Sequence, residues 1–309
     1  MHSEPRDSAR PATGGPDAGL ERAIAAALDD LLRALELEPR GSNRFRAGNE
    51  TGRFGDRLFG GQLVAQALLA ASRTVNDKRP ISLHACFVEA GTSDRPVELA
   101  VDAVRDGRSA ATRSVTVTQG ERPLLISMVS FHAGPTSPGR SDPAPPAPRP
   151  EELPLLQTWV RDLPQDKRAA HLGWVEQPPP LELRIGEPPN FMGGPAATGP
   201  RSHWMRLPRD VGGNPLLHTA LLAYASDYLL MDMALRAHPE RLAADGFVGF
   251  SLDHALWLHR PVRFDRWHLY TQEMQSLSGH LGLVRGLVHD ADGHLVASAM
   301  QDNLVRRAR

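Results

Sequence analysis

Asp227 is an acid set in the apolar run HTALLAYASDYLLMDMAL, residues His218 to Leu235. Buried acids are rarely tolerated without a partner. Desolvation in such a helix is expected to raise the carboxyl pKa, which suits a general base working near neutrality. A similar stretch, FGGQLVAQALLAASRTV, runs from Phe59 to Val75; it carries no acid and opens on Gly60 and Gly61. Backbone N–H groups at a helix start have no partner inside the helix, so they point at any approaching oxyanion. Glycines there let a ligand reach the backbone without a Cβ in the way. If the two helices lie side by side, one supplies bare donors and the other a carboxylate, and two halves of the chain make one site. Taken singly, each feature has a plainer reading: a structurally paired acid, and a turn.

The elements that must position these groups follow the same order twice. Helical spacing over Leu20 to Leu37 places Leu28, Leu31, Leu32 and Leu35 on one side, and a short strand is expected at Arg44 to Ala47. After the first apolar helix come four strand-like runs, Ile81 to Val88, Val97 to Val104, Ala110 to Thr118 and Leu124 to Phe131. Residues 134–150 hold seven prolines and read as an extended linker. In the second half, strands are expected at Leu181 to Ile185 and His203 to Leu207, then a long helix from His218 to His238. Four strands follow, Ser251 to Leu258, Trp267 to Gln275, Leu281 to Val288 and Leu295 to Val305. The spacing also repeats: Gly107 lies six residues before Arg113, as Gly279 does before Arg285. Identity between the halves is low, so order and spacing carry the repeat. A helix followed by antiparallel strands, twice, implies an α+β fold. The second helix is apolar nearly all round and must be buried on most sides, as it would be with a curved sheet wrapped around it, the hotdog arrangement. The organisation expected is a tail at 1–19, one hotdog at 20–133, a linker at 134–155 and a second hotdog at 156–309.

Composition narrows the partners. Lys and Arg (35) balance Asp and Glu (36), which leaves no basic excess for nucleic acid. No apolar run reaches membrane-spanning length, so no membrane insertion is expected. The first nineteen residues lack the apolar core of a secretory signal and read as a disordered tail. The single cysteine, Cys86, excludes an internal disulfide, and a cytoplasmic home is the simplest reading.

Five stretches in order, FGGQLVAQAL, RDGRSAATRSV, HTALLAYASD, DHALWLHRPV and VASAMQDNLVR, resemble the type II acyl-CoA thioesterase family, whose members are double hotdogs. The resemblance covers most of residues 44–307 apart from the linker. It implies acyl-CoA as substrate, no metal and no organic cofactor, and a triad of Asp, Thr or Ser, and Gln that orders a water for attack on the thioester. Matched residue by residue, these are Asp227, Ser251 (Thr in some relatives) and Gln301, with Gly60 or Gly61 near an oxyanion donor. Members of the family often form homo-oligomers, although no sequence feature here shows one. Thioesterases with one hotdog per chain commonly carry a His-Gly-Gly helix start with the acid nine residues after the His. Nine residues from His218 falls on Asp227, whereas nine from Phe59 falls on Leu68. Thr219 and Ala220 occupy the glycine positions of the second copy, and Ser130 stands where Gln301 stands. One composite site, not two, is expected.

Other residues read as structural. Asp232 lies about 140° around the helix from Asp227 and is expected on a solvated or interface side. Ser251 alone is an ordinary strand-start residue, and Gln301 alternates with Ala297 and Ala299 on one strand face. Cys86 reads as a small core residue, Arg105, Arg108 and Arg113 as a solvated hairpin face, and His254 and His259 as structural because no third metal ligand accompanies them. The run Gly249 to Asp253 lacks the last glycine of a nucleophile elbow. Two rival functions use the same fold: an enoyl-CoA hydratase pairing Asp227 with His254, and a non-catalytic acyl-CoA binder.

Overall fold

The structure, a computed structural model, describes residues 18–51, 53–134, 139–168, 171–237 and 247–307. The expected tail lies outside these apart from Ala18 and Gly19, which open the first helix.

Helix α1 (Ala18–Ala34) is amphipathic and buries Leu20, Ile24, Leu28 and Leu31 along one stripe. Strands β1 (Leu37–Pro39), β2 (Arg44–Ala47) and β3 (Arg53–Asp56) lead to α2 (Gly60–Ser72), in which every residue from Gly61 to Ala71 is buried. Four long strands follow: β4 (Arg79–Phe87), β5 (Val97–Asp106), β6 (Ala110–Gln119) and β7 (Arg122–His132). Strict alternation of buried and half-buried residues along β6 is the mark of a sheet with one face on the core.

The proline-rich segment docks along the second half through backbone groups. Pro148 O accepts from Trp204 Nε1 (2.8 Å), and Ala144 N donates to Gly293 O (3.3 Å). Short helices α3 (Leu156–Arg161), α4 (Gln165–Arg168) and α5 (Gly173–Glu176) precede β8 (Glu182–Ile185) and β9 (Arg201–Arg206). The second half closes with α6 (Pro215–Ala225), α7 (Leu230–Arg236), β10 (Phe247–Ser251), β11 (Asp253–Leu258), β12 (His268–Ser278), β13 (Leu281–Asp290) and β14 (Leu295–Arg307).

The fold is an α+β double hotdog whose two sheets are joined edge to edge. Thirteen antiparallel strands run β1-β2-β5-β6-β7-β4-β11-β14-β13-β12-β9-β8, with β10 paired to β14. The seam is β4 against β11, the repeat-equivalent strands, in the register Asp253 to Cys86 through Trp257 to Ser82. One half-sheet packs on α2 and the other on α7, while α2 and α6 pack on each other. One apolar core runs through both halves.

Three expectations are corrected here. The long helix from His218 is two helices, because the chain turns at residues 226–229 and Leu229 takes a left-handed φ of 64°; its expected end, His238, lies outside the described residues. That conformation costs a non-glycine residue about 1–2 kcal/mol. The turn survives because the sheet satisfies the carbonyls it frees: Tyr270 Oη donates to Ser226 O, and Gln272 Nε2 to Tyr228 O, both at 2.7 Å. Cys86 is exposed, since the alternation that buries Leu83 and Ala85 turns it to the outer face. Arg113 is buried, with its guanidinium donating to Thr74 Oγ1 and Thr74 O just beyond α2 and to Asp106.

His203 of β9 is fully buried, its ring 5.3 Å from that of Tyr270, and neither nitrogen has a hydrogen-bond partner among the described residues. Burial, and secondarily Arg201, lowers its pKa from 6.5 to about 3. Between these values the unfolded chain binds a proton that the folded chain does not. Stability is therefore expected to be intact above pH 6.5 and to fall as the pH drops toward 3. Urea unfolding across that window, with His203→Leu showing a shallower decline than the parent, is the check.

Candidate active site

Asp227 lies in the turn between α6 and α7, buried to 9% exposure, and reaches the start of α2. Gly61 N donates to its Oδ2 at 2.8 Å. Helix α2 needs this partner: its N-cap residue is Phe59, which makes no side-chain capping bond. A carboxylate from the other half of the chain thus takes the place of an N-cap at the positive end of the helix. The approach is close enough that a Cβ on Gly61 would run into the Tyr224 carbonyl oxygen, and one on Gly60 would lie 2.9 Å from both Asp227 Oδ2 and the Phe87 ring. Phe59 packs on Tyr224 and Tyr228 with ring centroids 5.1 and 4.7 Å apart, holding the helix start against the turn. Tyr224 Oη in turn donates to Glu50 of the first half (2.9 Å).

Gln301, on the inward face of β14, donates through Nε2 to Asp227 Oδ1 at 2.5 Å. Its Oε1 is buried and has no partner among the described residues. Ser251 ends β10 opposite Asn303, so it shares the inward face with Gln301 and Asn303. Among the described residues no hydrogen bond joins Ser251 to Asp227 or Gln301. The register of β14 shifts by one residue between β10 and β11, and the chain bends there at Leu252, whose N donates to Asp302 O. The structure therefore brings together Asp227, Gln301, Gly60 and Gly61 directly, with Ser251 on the adjoining strand. Gly61 N–H is already taken by Asp227; for Gly60 N–H no partner is found among the described residues.

His254 belongs to this cluster, although sequence spacing marks it only as structural. Its Nδ1 lies 3.2 Å from Gln301 Nε2 and its Nε2 lies 2.8 Å from Ser226 Oγ. Burial lowers its pKa, against the raising influence of Asp227 and Asp253, so the ring is neutral. Alternation with Leu256 and Leu258 places His254 on the inward face, and the register shift at Leu252 brings Ser251, three residues before it, to the same face. Tyr270 and Gln272, which hold the Asp227 turn, carry no comparable signal. Burial also pushes the Tyr270 phenol well above its ordinary pKa, so its O–H remains a donor to Ser226 O.

Asp232 is not solvated. It is 2% exposed, pairs with Arg201 at 2.7 Å and accepts from the N–H groups of Asn190 (3.0 Å) and Phe191 (3.1 Å). Sequence periodicity could not show that the loop before β9 folds over this face. Asp290, Asp292 and His294 form the one cluster of potential metal ligands among the described residues, a surface turn in which Asp290 Oδ1 accepts from Asp292 N and His294 N.

An acid held at the N-terminus of a helix from the other repeat, inside paired hotdogs, defines the class of thioesterases built from two hotdogs in one chain. Residues 49–132 match the acyl-CoA thioesterase N-terminal domain and residues 150–305 the C-terminal domain. Acyl-coenzyme A thioesterase 8 of Homo sapiens is 34% identical over 89% of this chain and 88% of its own. Acyl-CoA thioesterase 2 of Haemophilus influenzae is 29% identical over 90% of this chain and 98% of its own. The solved tesB protein of Mycobacterium avium subsp. paratuberculosis superposes with a TM-score of 0.74, at 29% identity, covering 90% of this chain and 99% of that one. The chain belongs to the type II acyl-CoA thioesterase family. No helix among the described residues is long and apolar enough to cross a membrane.

Two substitutions separate scaffold from site. Tyr270→Phe leaves the Ser226 carbonyl buried without its donor, and unfolding free energy is expected to fall by about 1–3 kcal/mol in urea titrations. Asp232→Asn strands the buried Arg201 charge and is expected to cost about 3–5 kcal/mol, measured the same way.

Proposed function

We propose that the protein hydrolyses acyl-CoA to free acid and CoA by direct attack of water, at one composite site. The observation that carries this reading is the Asp227 carboxylate held 2.8 Å from Gly61 N, with the unpartnered Oε1 of Gln301 buried beside it. A water seated between Asp227 and Gln301 Oε1 gives one proton to the carboxylate as its oxygen attacks the thioester carbon. Its other hydrogen is held by Oε1, an acceptor with nothing else to bind. Negative charge then grows on the carbonyl oxygen. Gly60 N–H, at the first position of α2, is the donor for it, because Gly61 N–H is committed to Asp227. The tetrahedral intermediate collapses by breaking the C–S bond, and the proton on Asp227 passes to the departing sulfur, restoring the carboxylate. Ser251 adds a hydroxyl on the same face of the sheet as Gln301.

A hydratase would need His254 to exchange a proton with substrate. Both of its ring nitrogens face internal partners, Ser226 and Gln301, which favours hydrolysis. The unpaired Cys86 agrees with a reducing, cytoplasmic setting.

Asp227→Asn keeps an acceptor for Gly61 N–H but sets its NH₂ against Gln301 Nε2, so it should fold with a lowered melting temperature. Its kcat for thiol release from acyl-CoA is expected to drop by about 10²-fold or more, and Ser251→Ala by a smaller factor. Undiminished hydrolysis by the Asp227→Asn protein, or turnover of crotonyl-CoA at its double bond without thiol release, would sink the assignment.

A further inference from the structure

We infer that His254 is a positioning residue that fixes which way round the Gln301 amide sits, so that its oxygen rather than its nitrogen faces the attacking water. This rests on the hydrolytic reading above, and its geometry can be tested without turnover.

The direction of each hydrogen bond follows from the first. Ser226 Oγ lies 2.8 Å from Ala223 O, and a carbonyl can only accept, so the single hydroxyl hydrogen is spent there. The 2.8 Å contact between Ser226 Oγ and His254 Nε2 must then run from the ring to the oxygen. A neutral imidazole with its hydrogen on Nε2 has a bare Nδ1, which is an acceptor. Gln301 meets that acceptor at 3.2 Å and the Asp227 Oδ1 acceptor at 2.5 Å, and only an NH₂ group can serve two acceptors at once. Its Oε1 is left buried and unpartnered. One chain of bonds from Ala223 to Gly61 thus allows a single ring tautomer and a single amide orientation.

With a hydrogen on Nδ1, the ring would present a donor to the NH₂ group. Relieving that clash by turning the amide would set its oxygen against the Asp227 carboxylate and its nitrogen toward the water. The charged groups facing the ring are Asp227 from the α6–α7 turn and Asp253 on its own strand, and both favour a protonated ring. Burial opposes them and keeps the ring neutral.

The first test uses the unmodified full-length protein. Nitrogen-15 NMR of the histidine rings near pH 7 should show His254 as the neutral Nε2–H tautomer, and an Nδ1–H tautomer or an imidazolium overturns the inference. The second test uses two variants. His254→Asn can place an acceptor near the Nδ1 position, whereas His254→Gln can reach Ser226 but leaves nothing at Nδ1. On an acyl-CoA substrate KM is expected to stay within about twofold in both, with kcat falling about threefold in His254→Asn and about tenfold or more in His254→Gln. Equal loss in the two, or parental kcat in His254→Gln, assigns His254 a merely structural role. Failure of the hydrolytic reading is seen separately, as retained activity in Asp227→Asn.

Discussion

The bond from Gly61 N–H to the Asp227 carboxylate is the constraint around which the two halves are arranged. It requires α2 to begin without a cap of its own, against the turn that follows α6. It requires glycine at position 61, because the Tyr224 carbonyl occupies the space of a side chain. It is made from the turn in which the second helix stops at Ala225. Stopping there frees backbone carbonyls and forces Leu229 into a left-handed conformation. Tyr270 and Gln272 then have to rise from β12 to meet those carbonyls. A strained turn supported from the sheet beneath it is how the fold aims one carboxylate.

The pseudo-symmetric position lacks the groups of the proposed site. Helix α6 has its own cap: Asn214 Oδ1 accepts from Leu216 N and Leu217 N. The His218 ring is occupied by Phe264 N and Gly212 O, so it is tied into the scaffold. Leu68 stands where an acid would be, and Ser130, expected to match Gln301, instead lies on the outer face of β7 with Ile126 and Met128. One helix keeps its cap and needs nothing from its neighbour; the other gave up its cap and takes a carboxylate from across the core. The two losses fit together only when a single site is kept.

Much of this was legible because it is periodic. Strand alternation placed β2 and β4 to β7 within a few residues, and the order of elements gave the hotdog class and the pairing of Asp227 with the glycine helix. The break in the second helix was not legible: residues 226–229 are Ser, Asp, Tyr and Leu, with no glycine or proline to mark a stop. Its cause is tertiary, in two donors more than forty residues downstream. His254 was hidden for a similar reason, since its partners are a serine on a helix end and an amide on another strand. Cys86 reads as a core residue by type alone, although the alternation of its own strand turns it outward.

Asp227 and Asp232 show what separates the acid proposed to work in hydrolysis from a structural one. Both are buried, five residues apart in one apolar stretch, and each accepts a backbone N–H from a distant segment. Asp232 also faces Arg201, so its charge is matched in place and taking up a proton would break an ion pair. Among the described residues Asp227 has no ion pair, and its partners are neutral donors, a peptide N–H and a primary amide. Such partners steady the carboxylate without matching its charge, so it can take a proton from water and pass it on without stranding a cation. The difference arises from what each turn of chain is packed against rather than from the acid itself.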